Sequence, residues 1–324
     1  MAKQVILGID IGGTNTTFAL VDQKGNISFK ENIPTHQYQE APIMVRRIKE
    51  LLGAELQLNN RLIGIGIGAP NGNFYNGTIE FAPNLQWTGI IPLAKYFTDE
   101  FGVPSFLTND ANAAAIGEML FGNAKGMQDF IMVTLGTGLG SGIVVNGKVL
   151  YGHDGFAGEL GHVIVEENGR QCGCGRKGCL ETYVSVTGIK NTVVELLQHS
   201  DASSELRGFK TEDLSGKIIE QAAIRGDEIA QKAFGITGEY LGKALANVIA
   251  ITSPEAIVLF GGLAQSGDLI FKPAEYFMNN NILKIYENKV KLIPSALPSN
   301  EAALIGAAAL AWKELDIAAN KLLG

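Results

Sequence analysis

Val5-Ile6-Leu7-Gly8-Ile9-Asp10 leads into a Gly12-Gly13-Thr14 turn, then Thr17-Phe18-Ala19-Leu20-Val21-Asp22, a Lys24-Gly25-Asn26 turn and Ile27-Ser28-Phe29. The same order returns at Phe130-Ile131-Met132-Val133-Thr134-Leu135, with a Gly136-Thr137-Gly138 turn, Gly142-Ile143-Val144-Val145, Asn146-Gly147 and Lys148-Val149-Leu150. Each copy reads as an apolar strand, a glycine loop, a second strand, a tight hairpin turn and a third strand. A helical stretch and another strand follow in both: residues 41–52 before 62–67, and 217–247 before 256–260. The spacing predicts an internal duplication of a β-β-β-α-β unit. Alternating strands and helices make the class α/β, and a duplicated pair implies a ligand cleft between its halves.

Asp10-Ile11-Gly12-Gly13-Thr14-Asn15 lies between two predicted strands. Its glycines let backbone N–H groups turn inward, and Thr14 and Asn15 add side-chain donors, a combination suited to polyphosphate oxygens. Asp10 would repel phosphate unless a Mg²⁺ ion lay between them, held directly or through water. Gly136, Thr137 and Gly138 open the matching loop of the second copy. Neither loop has the Gly-Lys-Ser/Thr of a P-loop or the Rossmann glycine spacing, which argues against both classes. The 40 glycines punctuate apolar runs, as at 8-12-13, 64-66-68 and 261-262. That pattern suggests strand ends where backbone approaches a bound molecule closely.

The three cysteines, Cys172, Cys174 and Cys179, are clustered and odd in number, a poor disulfide framework. With His162 upstream they form a complete tetrahedral Zn²⁺ set, and Gly173, Gly175 and Gly178 let the loop fold around one ion. Four protein ligands leave no open position, so the metal would be structural.

Of the 324 residues, 46% are hydrophobic and 18% charged, enough for a substantial core. A net charge of −7 without a Lys/Arg run disfavours nucleic acid and anionic membrane as partners. Asp10 interrupts the first apolar stretch before it reaches the length of a secretion signal, and residues 302–312 are too short to span a membrane. The expected location is cytoplasmic. The polar stretch 201–211 reads as a surface loop.

Thr108-Asn109-Asp110-Ala111-Asn112 follows a predicted strand at 103–107 and opens an alanine-rich helix. Locally, Asp110 reads either as a helix N-cap or as a carboxylate projecting into the cleft. The motifs taken in order are Asp10-Ile-Gly-Gly-Thr14, Asn84-Leu-Gln-Trp87, Asn109-Asp-Ala-Asn112, Gly136-Thr-Gly-Leu-Gly140, Glu159-Leu-Gly-His162, Cys172-Gly-Cys-Gly-Arg-Lys-Gly-Cys179-Leu-Glu181 and Phe260-Gly-Gly-Leu263. The series resembles the ROK family (repressors, open reading frames and kinases) of the actin/hexokinase-like superfamily, across essentially the whole chain.

That resemblance implies a two-lobed actin/hexokinase-like (ribonuclease H-like) fold: a small lobe of 1–115 with 301–324, and a large lobe of 116–300 carrying a zinc loop at 162–181. It implies ATP-dependent phosphorylation of a hexose, glucose foremost, with N-acetylhexosamines, fructose or allose as alternatives. Asp110 matches the family's general base. Asn84, Asn109, Asp110, Glu159, His162 and Glu181 match its sugar contacts, and Gly261 and Gly262 its adenosine loop. His162 would serve both zinc and sugar. A homodimer or homotetramer is implied as well. Family repressors carry a DNA-binding segment before the first glycine loop, and the nine residues ahead of Asp10 hold none. Two departures bear on the choice of hexose: Asn71 intervenes in Pro70-Asn71-Gly72, and Phe156 replaces a small residue before Ala157-Gly158-Glu159.

Overall fold

The computed structural model describes residues 3–57, 60–298 and 301–323. In chain order the main elements are β1 (Lys3–Ile11), β2 (Asn15–Val21), β3 (Ile27–Pro34), α1 (Ala41–Gln57), β4 (Asn60–Gly68), β5 (Gly72–Asn73), β6 (Thr78–Glu80), β7 (Ile90–Ile91), α2 (Leu93–Phe101), β8 (Ser105–Thr108) and α3 (Asp110–Phe121). They continue with β9 (Phe130–Leu135), β10 (Leu139–Val145), β11 (Lys148–Val149), α4 (Val186–His199), α5 (Gly216–Ile224), α6 (Glu228–Thr252), β12 (Ala256–Phe260), α7 (Asp268–Asn281), β13 (Lys291–Pro294) and α8 (Ala302–Leu323).

Two five-stranded sheets have the order β3-β2-β1-β4-β8 and β11-β10-β9-β12-β13. In each, the first strand pairs antiparallel with its hairpin partner and parallel with the strand that follows the helical stretch. The fifth strand then adds in parallel. Position for position the sheets correspond, as the duplicated sequence predicts.

The chain divides into two compact units. One comprises Met1–Gly126, Val149–Ala157 and Ala296–Gly324; the other comprises Met127–Lys148 and Gly158–Ser295. The first unit runs past residue 115 because α3 belongs to its core. A Cβ added at Gly117 of α3 would sit 2.9 Å from the Gly306 Cα of α8, so the two helices cross almost backbone to backbone.

β1 is buried on both faces, and for that reason reads as an unbroken apolar run. Val5, Leu7 and Ile9 join Met44, Val45, Ile48 and Leu52 of α1 and Phe97 of α2 in one cluster. Ile6 on the opposite face joins Leu304, Ala308, Ala311 and Trp312 of α8. The glycines of β1 and β4 serve that second face. A Cβ at Gly8 would collide with the Leu304 carbonyl, one at Gly66 with the Ala307 carbonyl, and one at Gly64 with the Leu315 side chain. The expectation that these strand glycines admit a ligand is thus corrected for Gly8, Gly64 and Gly66: a helix fills the space. Gly68, at the strand end, is different and is described below.

In the second unit α4, α5, α6 and α7 supply the core packed on β9 and β12. The stretch 201–211 is less loop-like than its polarity suggests. It holds a short helical turn, Glu205–Gly208, that buries Leu206 completely.

Candidate functional site

Three parallel strands of the first unit end side by side. Asp10 of β1 pairs with Gly68 of β4, and Gly68 with Thr108 of β8, so Asp10 and the start of α3 are two strand spacings apart, about 10 Å between backbones. Carboxyl ends of parallel strands are where open α/β sheets bind ligands. Gly68 lies between, and a Cβ there would stand 3.9 Å from the Asp110 Cα and 3.5 Å from the Ala113 Cβ. The bare glycine keeps the space between the two acids open.

The N-cap reading of Asp110 gives way to its neighbour. Asn109 is the N-cap of α3, its side chain accepting the Asn112 backbone N–H at 2.7 Å, while Asp110 is the first helical residue. The Asp110 carboxylate is engaged locally, its Oδ1 accepting the Ala111 N–H at 2.8 Å. Burial among dense protein raises the Asp110 pKa, although solvent still reaches the residue and limits that push. Asp10 is raised to about 6, first by burial and then by the charge of Asp110. An acid whose ionisation a second carboxylate opposes suits a site that receives a cation. The composition of that pair, hard oxygens only, fits Mg²⁺.

Gly12, Gly13, Thr14 and Asn15 form the turn between β1 and β2, closed by the Gly12 N–H donating to the Asn15 carbonyl at 2.9 Å. A Cβ on Gly13 would collide with the Asn84 carbonyl, so Asn84 and the first glycine loop are brought together. The segment after β3 braces both: the Thr35 N–H donates to the Thr14 carbonyl at 2.9 Å, and Trp87 Nε1 to the Tyr38 carbonyl at 2.9 Å.

The second unit assembles the remaining glycine motifs. The Leu263 N–H donates to the Leu135 carbonyl at 3.1 Å, placing Gly261-Gly262 against Gly136-Thr137-Gly138. Gly261 has φ +102°, and a Cβ there would collide with the backbone of Leu135. Gly136 by contrast faces open space. Gly138 is crossed by Glu181, whose Oε2 would be 2.7 Å from a Cβ at that position.

Glu159 precedes a helical turn, Leu160–His162, that sits on β10 through Ser141, whose hydroxyl donates to the Gly158 carbonyl. His162 Nδ1 lies 3.7 Å from Cys172 Sγ, and Cys174 Sγ lies 3.7 Å from Cys179 Sγ. All four ligand atoms fall within 4.8 Å of one another. A tetrahedron with Zn–S bonds of about 2.3 Å has S–S edges of about 3.8 Å, so the spacing of the set is compatible with zinc. Cys174 is drawn down to about 6, chiefly by the Arg176 backbone N–H, while burial pushes the Cys172 and Cys179 thiols up in the metal-free protein. Glu181 Oε1 accepts from Cys172 Sγ at 2.9 Å and lies 3.6 Å from His162 Nδ1, joining the metal cluster to the second glycine loop.

Asn71 has a local structural role. It adopts φ +50°, and its amide donates to the carbonyls of Glu80 (3.0 Å) and Phe81 (3.3 Å), which makes it a turn residue tied to β6. The sequence reading missed an aromatic clasp in the first unit. Phe74 stacks on Tyr151 at 4.1 Å, the Tyr75 hydroxyl donates to the Gly152 carbonyl at 2.9 Å, and Asn73 Nδ2 donates to the Asp154 carbonyl at 2.8 Å. Only the aromatic content of residues 74, 75 and 151 could have hinted at it.

Residues 6–314 match the ROK family. The chain belongs to the ROK family. Its likeness to a glucokinase of Halalkalibacterium halodurans is 35% identity over 313 residues, 94% of each chain. Among ROK proteins of known structure, a glucokinase from Streptomyces griseus in complex with glucose and AMPPNP superposes with a TM-score of 0.80 at 31% identity, covering 95% of this chain and 99% of that one. A xylose repressor of Bacillus spizizenii is 31% identical over 303 residues, 92% of this chain and 74% of the repressor. The fold is therefore the α/β, actin/hexokinase-like fold of the ROK sugar kinases, with a Cys₃His loop compatible with zinc. No helix among the described residues is long and apolar enough to cross a membrane.

Proposed function

We propose that the chain is an ATP-dependent glucokinase that forms glucose 6-phosphate with Asp110 as general base. The observation that carries this is the carboxylate of Asp110, released from capping by Asn109 and set at the ends of the parallel strands beside Asp10. The extended likeness to glucokinases supports the reading.

Asp110 would take the proton of the sugar 6-hydroxyl as that oxygen forms its bond to the γ-phosphorus and ADP departs. Phosphoryl transfer needs positioning and charge neutralisation more than covalent help from the protein. Gly12, Gly13, Thr14 and Asn15, with Gly136, Thr137 and Gly138, would donate to phosphate oxygens, and Gly261 and Gly262 would lie under the adenosine. Asp10 would hold Mg²⁺, which when bound neutralises phosphate charge. Asn84, Asn109, Glu159, His162 and Glu181 would bond the sugar hydroxyls, amides and carboxylates suiting vicinal diols. A Zn²⁺ ion on His162, Cys172, Cys174 and Cys179 would stiffen the loop that carries Glu181. The same reading includes a cytoplasmic homodimer or homotetramer, checked by light scattering.

A coupled ADP-release assay with ATP and Mg²⁺ across a hexose panel tests the proposal. Glucose should have the highest kcat/KM; a higher value for an N-acetylhexosamine, fructose or allose would reassign the substrate. Likeness to xylose repressors favours one second reading, a sugar sensor without transfer. Sugar binding with no ADP release would select it.

A further inference from the structure

We infer that Arg170 is a positioning residue for sugar binding, because it fastens the base of the Cys₃His loop to the turn that carries Glu181. This rests on the reading of Glu181 as a sugar contact.

Arg170 stands two residues before Cys172, and its guanidinium is fully used. Nε donates to Glu195 Oε1 at 2.8 Å, and Nη2 to Glu195 Oε2 at 2.6 Å and Thr192 Oγ1 at 2.9 Å. Nη1 donates to the carbonyls of Thr182 at 2.7 Å and Gly188 at 3.1 Å. A guanidinium has five N–H donors, and all five have partners. Thr182 closes the Leu180–Thr182 turn directly after Glu181, while Gly188, Thr192 and Glu195 lie on α4. One side chain therefore pins the turn to the helix.

Aromatic packing reinforces the clamp from beneath. The guanidinium carbon lies 4.5 Å from the centroid of the Tyr183 ring, which stacks on Tyr240 at 4.2 Å. The Tyr183 hydroxyl accepts the Arg170 backbone N–H at 3.0 Å, and the Tyr240 hydroxyl donates to Glu166 Oε2 at 2.9 Å. Across the loop, the Gly178 N–H donates to the Arg170 carbonyl at 2.8 Å. The side chain is only 14% exposed, so water competes weakly for these bonds.

The metal ligands hold the loop at its tip, and Arg170 holds it at its root. The two restraints are distinct, because none of Arg170's partners is a metal ligand. Glu181 lies between them, adjacent to the metal-ligand Cys172 on one side and followed by the clamped Thr182 on the other. Losing the root would leave the metal set intact while letting the Glu181 turn shift. Displacements near 1 Å at a binding group cost up to about a hundredfold in activity. Lysine cannot substitute, since an ammonium lacks the planar fork and its fit over an aromatic face.

The experiment compares Arg170→Ala, Arg170→Lys and Glu181→Gln in the full-length protein, measuring zinc per chain, KM for glucose, KM for ATP and kcat. In both Arg170 variants, zinc content should be retained, KM for glucose should rise by about tenfold or more, and KM for ATP should stay within about threefold. Unchanged glucose KM would overturn the inference. So would a parallel fall in zinc, kcat and both affinities, since that marks a purely structural role. If Glu181→Gln raises the glucose KM and the Arg170 variants do not, this inference alone fails. If Glu181→Gln leaves the glucose KM unchanged, it is the sugar role of Glu181 that fails. Should Arg170→Ala prove insoluble, Thr192→Val and Glu195→Gln decide: each should raise the glucose KM by about two- to fivefold, and no rise in either refutes the clamp.

Discussion

Asn109 accepts the backbone N–H of Asn112 at 2.7 Å, and this bond relieves Asp110 of the N-cap position. A helix has one N-cap position. With Asn109 in it, the Asp110 carboxylate is not needed to start α3, and its charge acts on Asp10. The cap and the proposed base are adjacent in sequence but separate in task.

Replacing Asp110 with Asn should therefore cost little stability. The expected outcome is glucose affinity within a few-fold of the parent by calorimetry and turnover lower by about a thousandfold or more. Near-normal kcat in Asp110→Asn would remove the base assignment. Asn109→Ala should instead lower stability by about 1 kcal/mol through the lost cap, read by urea denaturation.

Asp10 makes stability depend on pH in an unusual direction. Its folded-state pKa, about 6, lies above the ordinary 3.8, so the protonated carboxyl favours the fold. That contribution is fully present below about 3.8 and disappears as pH rises through about 6. In buffer without Mg²⁺ or nucleotide, Asp10→Asn should gain Tm relative to the parent between pH 4 and pH 7. A difference in Tm that stays constant across that range would contradict it. Activity should show the opposite limb, falling below about pH 6 as Asp10 loses the charge proposed to hold Mg²⁺.

Zinc should be measurable and separable from catalysis. Elemental analysis should find about one zinc per chain in the parent and far less in Cys174→Ser, with a lower Tm and a larger rise in glucose KM than in ATP KM. A parent protein purified without chelators and devoid of zinc would remove the metal from the account.

Gly66 tests the packing of α8. Its Cβ would overlap the Ala307 carbonyl, which belongs to a helix backbone and cannot rotate aside. Gly66→Ala should destabilise by about 3 kcal/mol or more. Gly53 lies in α1, where an added Cβ would meet nothing within 4 Å, and Gly53→Ala should stabilise by up to about 1 kcal/mol. Equal denaturation midpoints for the two variants would contradict this packing account.

Legibility in the sequence followed the range of the interactions. The repeated strand-loop-hairpin pattern is local, and it correctly announced two sheets of matching order. The ligand set of His162 and three cysteines was equally visible, because metal chemistry restricts residue type and spacing together. Gly8 and Gly66 were misread because their partners, Leu304 and Ala307, lie at the far end of the chain. Leu206 was hidden because the residues around it in sequence are polar. Arg170 left no mark beyond its charge, since its partners are two carbonyls, a hydroxyl and a carboxylate on later turns. That Asn109 and not Asp110 caps α3 needed backbone geometry, which no composition of side chains reveals.

The trough that glycines 8 and 66 carve into the first sheet is filled by a helix the ribosome delivers long after both strands. Until α8 emerges, Ile6, Ala19 and Val21 have no cover from Leu304, Ala308 and Trp312. The unit built on β1 is thus complete only once α8 has been made, and pairing across so long a stretch of sequence is slow. A nascent polypeptide halted before Ala302 would expose an apolar sheet surface of the kind that recruits chaperones or aggregates.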